Sequence, residues 1–200
     1  MNSYTIALFF HVSGAIGYFI IMGTWLLSLA ALRRAQRVEQ VRTLTHLIGR
    51  SSPLFGISVL LLLVTGLYMA ITAWGFLTGW IDLALVSLIL IAPLGTAFIE
   101  PRRRTIERLA QEAPDGPLPQ SLERHTHDPV LLTALQTVTI LLLGIVFLMT
   151  NKPSLVGSLI VMAVALMLGL VSGVLVSRVT ARKSDQSMTP RTNDMREPVR

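Results

Sequence analysis

The chain has 200 residues, of which 52% are apolar and only 14% are charged, and it contains no cysteine. A soluble domain has roughly 25% charged residues, so this composition argues against a soluble protein. The lack of cysteine excludes disulfides, iron–sulfur clusters and thiolate metal sites. The formal net charge of +6 does not indicate nucleic-acid binding, because the basic residues flank apolar stretches.

Five apolar runs are long enough to cross a bilayer, whose apolar core of about 30 Å needs roughly 20 helical residues. They cover approximately residues 4–32, 53–74, 80–99, 130–150 and 154–177. These runs are too long and too uniformly apolar for the strands of a membrane barrel. The sequence therefore predicts an all-α polytopic transmembrane helical bundle of five spans within residues 1–177, followed by a basic, disordered tail at 178–200.

The distribution of charge predicts how the bundle is oriented. Every Lys and Arg except Lys152 follows span 1, span 3 or span 5. By the positive-inside rule, these segments are cytoplasmic, which places the N-terminus outside and the C-terminus inside. We therefore expect a multi-pass protein of the bacterial inner membrane, whose arginines also attract anionic lipid headgroups.

The connections between spans carry their own patterns. Apolar residues recur at helical spacing after span 1, at Val38, Val41, Leu44 and Ile48. This spacing predicts an amphipathic helix on the membrane surface, which Gly49 and Pro53 are expected to end. Residues 101–128 are expected to form a short surface helix and then irregular chain. The turn between spans 2 and 3 is short, so these spans are predicted to pack together.

His11 is the one ionisable side chain deep inside a predicted span, roughly 10 Å below the outer boundary. Such groups are functional candidates by default, the alternative being a histidine that bonds a neighbouring helix. Depth matching brings Thr65, Tyr68, Met69 and Met162 to its level. A haem held by His11, with Met69 or Met162 as the opposite ligand, is chemically reasonable. Methionine at such positions is more often core filler.

A second polar zone lies in the inner half of the predicted bundle. It would form a cavity open to the cytoplasm, as in a small-solute carrier. The lining residues would be Gln136 and Thr137 on span 4, Thr96 on span 3 and Ser58 on span 2. The alternative is hydrogen bonding between helices.

Small residues mark the expected helix contacts. Gly169 and Gly173 form a Gly-xxx-Gly pair on span 5, and Ser13 and Gly17 form a looser pair on span 1. Such faces allow close crossing, either within one chain or between the two chains of a homodimer.

The connection before span 4 ends in His125, His127 and Asp128, which resemble a metal cluster. The alternative is that Asp128 favours the start of span 4 through the helix dipole. No metal site is predicted on this basis.

The segment Leu8–Gly17, an apolar-His-apolar-small-Gly start, resembles the first span of a group of small bacterial membrane proteins. Thr65–Met69 matches a second feature of this group, a span that ends near Gly-xx-Met. One branch is a family of predicted integral membrane proteins of unknown function. Its relatives look like the copper-resistance D membrane family and the membrane protoporphyrinogen oxidase family. The last of these binds haem through a first-span histidine, which the resemblance maps to His11.

The sequence contains no Ser-His-Asp set, phosphate loop or pair of intramembrane carboxylates, so no catalytic residue is predicted. Three functional hypotheses follow. The first is a membrane module or accessory subunit in which His11 is structural. The second is a haem- or metal-binding redox protein centred on His11. The third is a carrier that uses Gln136, Thr137 and Thr96.

Overall fold

The computed structural model describes residues 2–75 and 78–188, apart from the side chains of Ala92, Thr96 and residues 177–188. The described chain is built from seven α-helices, which are α1 (Ser3–Leu32), α2 (Val38–Met69), α3 (Gly79–Leu94), α4 (Glu100–Glu112), α5 (Gln120–Thr126), α6 (Pro129–Asn151) and α7 (Leu155–Met188). Short π-helical turns, Ala70–Trp74 and Gly95–Ile99, continue α2 and α3. The predicted tail therefore begins inside α7, and residues 189–200 lie outside the described part.

Four helical segments of the described chain are long and apolar enough to cross a membrane. They are Ser3–Leu32, Val38–Trp74, Gln120–Asn151 and Leu155–Val176. This confirms the prediction of an all-α, multi-pass membrane protein. The remaining predicted span corresponds to α3, a helix of 16 residues that contains Pro93 and passes into a π-helical turn. Its crossing of the bilayer stays a prediction.

The long helices pack as two pairs, α1 with α2 and α6 with α7, and α3 packs against α6 and α7. The prediction that spans 2 and 3 pack together was wrong. Among the described residues the two segments meet where Ala70, in the π-helical turn that continues α2, packs against Trp80 of α3. Small residues explain why α2 packs along α1, because Gly14 and Gly17 of α1 lie against Ser58 of α2.

Helix α2 runs without interruption through Pro53, so the predicted break between a surface helix and span 2 is wrong. Proline removes one backbone hydrogen bond and usually kinks a helix. Here α1 holds the chain on both sides of this proline. The indole Nε1 of Trp25 donates to Ser51 Oγ at 2.8 Å, and the Trp25 ring stacks on Phe55 at 5.1 Å between centroids. Tertiary packing thus overrides the local signal.

The basic connections fold into a compact unit at one end of the bundle, which we call the basic cap (residues 33–50 and 100–128). Its core consists of side chains that are at most 2% exposed, namely Val38, Val41, Ile106, Ala110 and Leu122. Two backbone bonds join its segments, from Val38 N to Gly116 O at 3.1 Å and from Leu118 N to Gln36 O at 3.0 Å. The expected irregular chain after α4 is therefore largely ordered, and it includes helix α5.

Arg42 closes the basic cap at the end of α4. Its Nε donates to the carbonyl oxygen of Ala110 at 2.7 Å, and its other nitrogens bond the Ala113 carbonyl and the Asp115 carboxylate. The last carbonyls of a helix have no partner within the helix. The guanidinium thus satisfies them and fixes the turn that follows.

Candidate functional site

His11 lies in the interface between α1 and α2. Its Nδ1 is 3.1 Å from the carbonyl oxygen of Leu62 and 3.2 Å from Thr65 Oγ1. The ring fits because Gly66 has no side chain, since a Cβ there would lie 3.0 Å from His11 Cε1. Depth matching of His11 with Thr65 is therefore confirmed, and the interhelical bond matches the structural alternative for this histidine.

These bonds define the tautomer of His11. The Leu62 carbonyl can only accept a hydrogen bond, and the Thr65 hydroxyl donates its own proton to the Leu61 carbonyl at 2.5 Å. Nδ1 must therefore carry the ring proton. In the neutral imidazole Nε2 then keeps a lone pair, which makes it the nitrogen able to bind a metal or accept a proton.

The residues predicted as haem neighbours lie in different places. Met69 is buried on α2, one turn beyond Thr65, whereas Tyr68 is 39% exposed. Met162 packs in the α6–α7 interface, where its Sδ would be 3.2 Å from a Cβ on Gly144. Met162 thus fills a helix contact, as core methionines do. Met162 as the haem ligand opposite His11 stays a prediction.

The predicted polar zone is divided between two interfaces. Ser58 lies against α1, with its Oγ 2.8 Å from a Cβ placed on Gly17. Thr137 is 4% exposed and packs under Gly169 of α7. Gln136 is half-buried, and the side chain of Thr96 lies outside the described residues. Ser58 and Thr137 therefore serve helix packing, and the carrier hypothesis gains no support from them.

The Gly-xxx-Gly pair of α7 is used within the chain. A Cβ on Gly169 would be 2.8 Å from the Cα of Thr137, and a Cβ on Gly173 would be 2.7 Å from the Cα of Thr133. These distances are far below van der Waals contact with backbone atoms that cannot rotate away. The pair therefore sets the close approach of α6 and α7, which is the within-chain alternative of the prediction.

The histidines before α6 are engaged locally. His125 Nδ1 bonds the Ser121 carbonyl at 2.8 Å, and His127 Nδ1 bonds the Glu123 carbonyl at 3.0 Å. In the described part of the chain no three His, Cys, Asp or Glu residues are grouped so as to hold a metal ion. Asp128 caps α6 by accepting from Val130 N at 2.8 Å, which confirms its interpretation as a helix-start residue.

Most arginines of the basic cap are paired with carboxylates, which the sequence interpretation missed. Each paired arginine has a carboxylate oxygen within 4.0 Å of its guanidinium group. These arginines are Arg37, Arg42, Arg102, Arg103, Arg104 and Arg108. Hydrogen bonds from Arg103 and Arg104 lower the pKa of Glu100 to about 2. The spacing of these residues along α4, three and four apart, is the signal that would have revealed the pairs.

Arg33 connects α1 to the start of α6. Its Nη2 donates to the carbonyl oxygens of His127 and Asp128, at 3.3 and 3.2 Å. Burial lowers the pKa of Arg33, and the nearby Asp128 carboxylate opposes that shift. Arg102 bonds the same carboxylate at 2.9 Å. These bonds join three helices at the capped end of the bundle.

At the opposite end of the described bundle, two tryptophans contact each other and Lys152. Trp74 and Trp80 meet edge to face at 5.4 Å between centroids, and the Lys152 ammonium lies 4.3 Å from the Trp74 ring centre. Tryptophan favours membrane boundaries, so this end is suited to an interface. The ring face of Trp74 attracts the Lys152 ammonium by a cation–π contact, which stabilises its charged form at this end.

Residues 5–153 match the family described as "Predicted integral membrane protein (DUF2269)". No curated protein and no solved structure matches the chain. The match covers most of α1 through the end of α6, including His11, the basic cap and the α1–α2 pair. The chain therefore belongs to the DUF2269 family of predicted integral membrane proteins, whose molecular activity is unknown.

Proposed function

We propose that the chain is a five-span module of the bacterial inner membrane, with its N-terminus outside and its C-terminus inside, and that it acts as an accessory subunit of a membrane system. The observation that carries this proposal is the asymmetry of the bundle. One end has the folded basic cap, whereas the other has short turns and a tryptophan contact. A structured cytoplasmic surface on a small membrane bundle is suited to holding a partner.

The accessory role is also supported by how the ionisable and polar groups are used. His11 bonds the backbone of α2, Thr137 packs against α7, and Arg42 holds the end of α4. Each of these groups joins helices of the same chain. Groups that bond or pack between helices of one chain suit a structural module, and this supports the accessory role.

The topology can be tested by cysteine labelling, since the native chain has no cysteine. Ser3→Cys, Thr78→Cys and Lys152→Cys are expected to react with a membrane-impermeant maleimide on spheroplasts. Gln111→Cys and Ser187→Cys are expected to react only after lysis. Thr78 and Gln111 flank α3, so opposite behaviour of this pair establishes the fifth crossing. Labelling of both in spheroplasts would leave four spans and contradict the proposal.

A second candidate function, a haem- or metal-binding redox protein, has one observation in its favour. Histidines that bind metals commonly donate their other ring N–H to a backbone carbonyl. His11 has this arrangement, with Nδ1–H on the Leu62 carbonyl and Nε2 left as the ligand atom. Met69 on α2 and Met162 on α7 are the candidates for a second ligand.

His11→Ala separates the two candidates. If His11 is structural, purified wild-type protein from haem-replete cells is colourless, and the variant loses a few degrees of thermal stability because an interhelical bond worth about 0.6 kcal/mol and its packing are removed. Phe9→Ala is the matched control, since Phe9 is 66% exposed on the same helix and is expected to leave stability unchanged. A Soret band that disappears in His11→Ala would favour the haem hypothesis instead.

A further inference from the structure

An open groove lies where α1 ends and α2 begins, and we call it the α1–α2 groove. This open groove has a volume of about 710 Å³ and is lined by Leu27, Ala30, Ala31 and Arg34 on one side and by Thr43 and Leu44 on the other. The four residues of the first side are spaced by three and four, so they form one stripe that leads from the membrane span to the basic cap. The volume lies within the range of roughly 300–1,000 Å³ that is typical of ligand sites.

The two ends of the groove differ in chemistry. Toward the middle of α1 it is apolar, with Leu27 74% exposed and the small side chains of Ala30 and Ala31 as its floor. Toward the basic cap it has Arg34 and the side chain of Gln40. The Gln40 amide oxygen accepts from Gln36 N at 2.9 Å, which leaves the amide nitrogen as a donor. An occupant with an anionic end and an alkyl end would satisfy both parts.

Arg34 provides the positive charge that would bind the anionic end of the occupant. Within the described chain most arginines of the basic cap have a carboxylate within 4.0 Å, whereas Arg34 has none. Arg33, its neighbour in sequence, is already bound to two carbonyl groups. A guanidinium group binds phosphate through two parallel hydrogen bonds, so Arg34 can receive the phosphate of a lipid at the membrane boundary.

We propose that the α1–α2 groove binds an acidic phospholipid, with its phosphate on Arg34 and an acyl chain along Ala30 and Ala31 against Leu44. This inference rests on the proposed function, in which the basic cap lies at the cytoplasmic face. It adds a defined site to the general attraction of basic residues for anionic lipids. A bound lipid would fill the gap between the two helices where their packing is open.

Native mass spectrometry of the full-length protein in detergent tests the proposal, with phosphatidylglycerol and phosphatidylcholine of identical acyl chains as probes. The wild type is expected to retain phosphatidylglycerol about tenfold more tightly, as charge-assisted phosphate bonds would give. Arg34→Gln is expected to remove this preference. Arg124→Gln, which changes another arginine without a carboxylate partner on α5, is expected to keep it. Ala31→Trp fills the groove while retaining Arg34, and it is expected to abolish retention of phosphatidylglycerol.

Each of the following results would overturn the proposal. They are equal retention of both lipids by the wild type, equal losses in Arg34→Gln and Arg124→Gln, unchanged binding in Ala31→Trp, and displacement of the lipid by millimolar inorganic phosphate, which would indicate a free-phosphate site. A lipid-free dimer that Ala31→Trp dissociates would show that a second copy occupies the groove.

Size-exclusion chromatography and circular dichroism establish that each variant is folded. If Arg34→Gln does not fold, the wild-type comparison and Ala31→Trp decide the matter. Failure of the cysteine-labelling pattern would overturn the topology and would leave these detergent measurements unaffected, so the two proposals fail separately.

Discussion

Gly173→Ala is expected to lower the free energy of unfolding by about 1–3 kcal/mol, the usual penalty for adding a methylene group to a packed interface. The new Cβ would lie 2.7 Å from the Cα and 2.8 Å from the Cγ2 of Thr133. Because the Cα belongs to the backbone of α6, relief requires the two helices to separate. Gly169→Ala makes the same kind of contact with Thr137 one turn away, and it should have a similar effect.

Gly23→Ala provides a matched control for this prediction. Gly23 lies inside α1, and a Cβ there would meet nothing within 4 Å. Alanine is favoured over glycine within a helix by up to about 1 kcal/mol, so this variant should be neutral or slightly more stable. Thermal unfolding in detergent, followed by circular dichroism, ranks the variants. A change in oligomeric mass without loss of thermal stability in Gly173→Ala would contradict the within-chain role and support a dimer contact.

The sequence predicted well those features that depend on composition or on short spacing. The apolar runs identified the long helices, because their length alone meets the requirement of the bilayer. The Gly-xxx-Gly spacing identified a close contact, because glycines four apart lie on one face of a helix. Depth counting found Thr65 as a partner of His11, since both helices advance by a constant rise per residue.

Features that depend on tertiary packing were not predictable in the same way. Pro53 signals a break, but Trp25 of α1 holds α2 on either side of it through Ser51 and Phe55. The short turn after span 2 suggested a hairpin, but the face of α2 at Ser58 is taken by the glycines of α1. In each case a non-local contact outweighs a local preference. The relative strengths of the two cannot be read from a single sequence.

The candidate site was likewise predictable only in the features that depend on composition and spacing. Sequence reasoning found His11 because an ionisable group in an apolar span is conspicuous. It could not choose between Met69 and Met162 as neighbours, because depth is shared by every helix of a bundle, whereas direction is set by packing. The packing of Met162 against Gly144 and the Nδ1–H tautomer of His11 both come from the structure. Arg34 was recognised only from the structure, because it has no carboxylate partner among the ion pairs of the basic cap and also lines the α1–α2 groove.

Arg42→Met is expected to loosen the turn after α4 and to lower the stability of the basic cap by about 2–3 kcal/mol, since hydrogen bonds to charged groups contribute about 1.5–3 kcal/mol. The variant keeps a long apolar side chain but leaves the carbonyls of Ala110 and Ala113 without their donor. Hydrogen exchange at residues 110–118 should accelerate, whereas exchange within α6 should not. Arg42→Lys should rescue little, because one ammonium group cannot reproduce the fork of a guanidinium.

Asp115→Asn isolates the contribution of the ion pair. The Asp115 side chain is 69% exposed, and exposed ion pairs contribute about 0–1 kcal/mol, so this variant should remain close to the wild type. The predicted order of stability is therefore wild type, Asp115→Asn and then Arg42→Met, with a large interval only at the last step. If Asp115→Asn accelerated exchange as much as Arg42→Met, the carboxylate would be the essential partner of Arg42. The backbone carbonyls at the end of α4 would then not be what anchors α4 to α2.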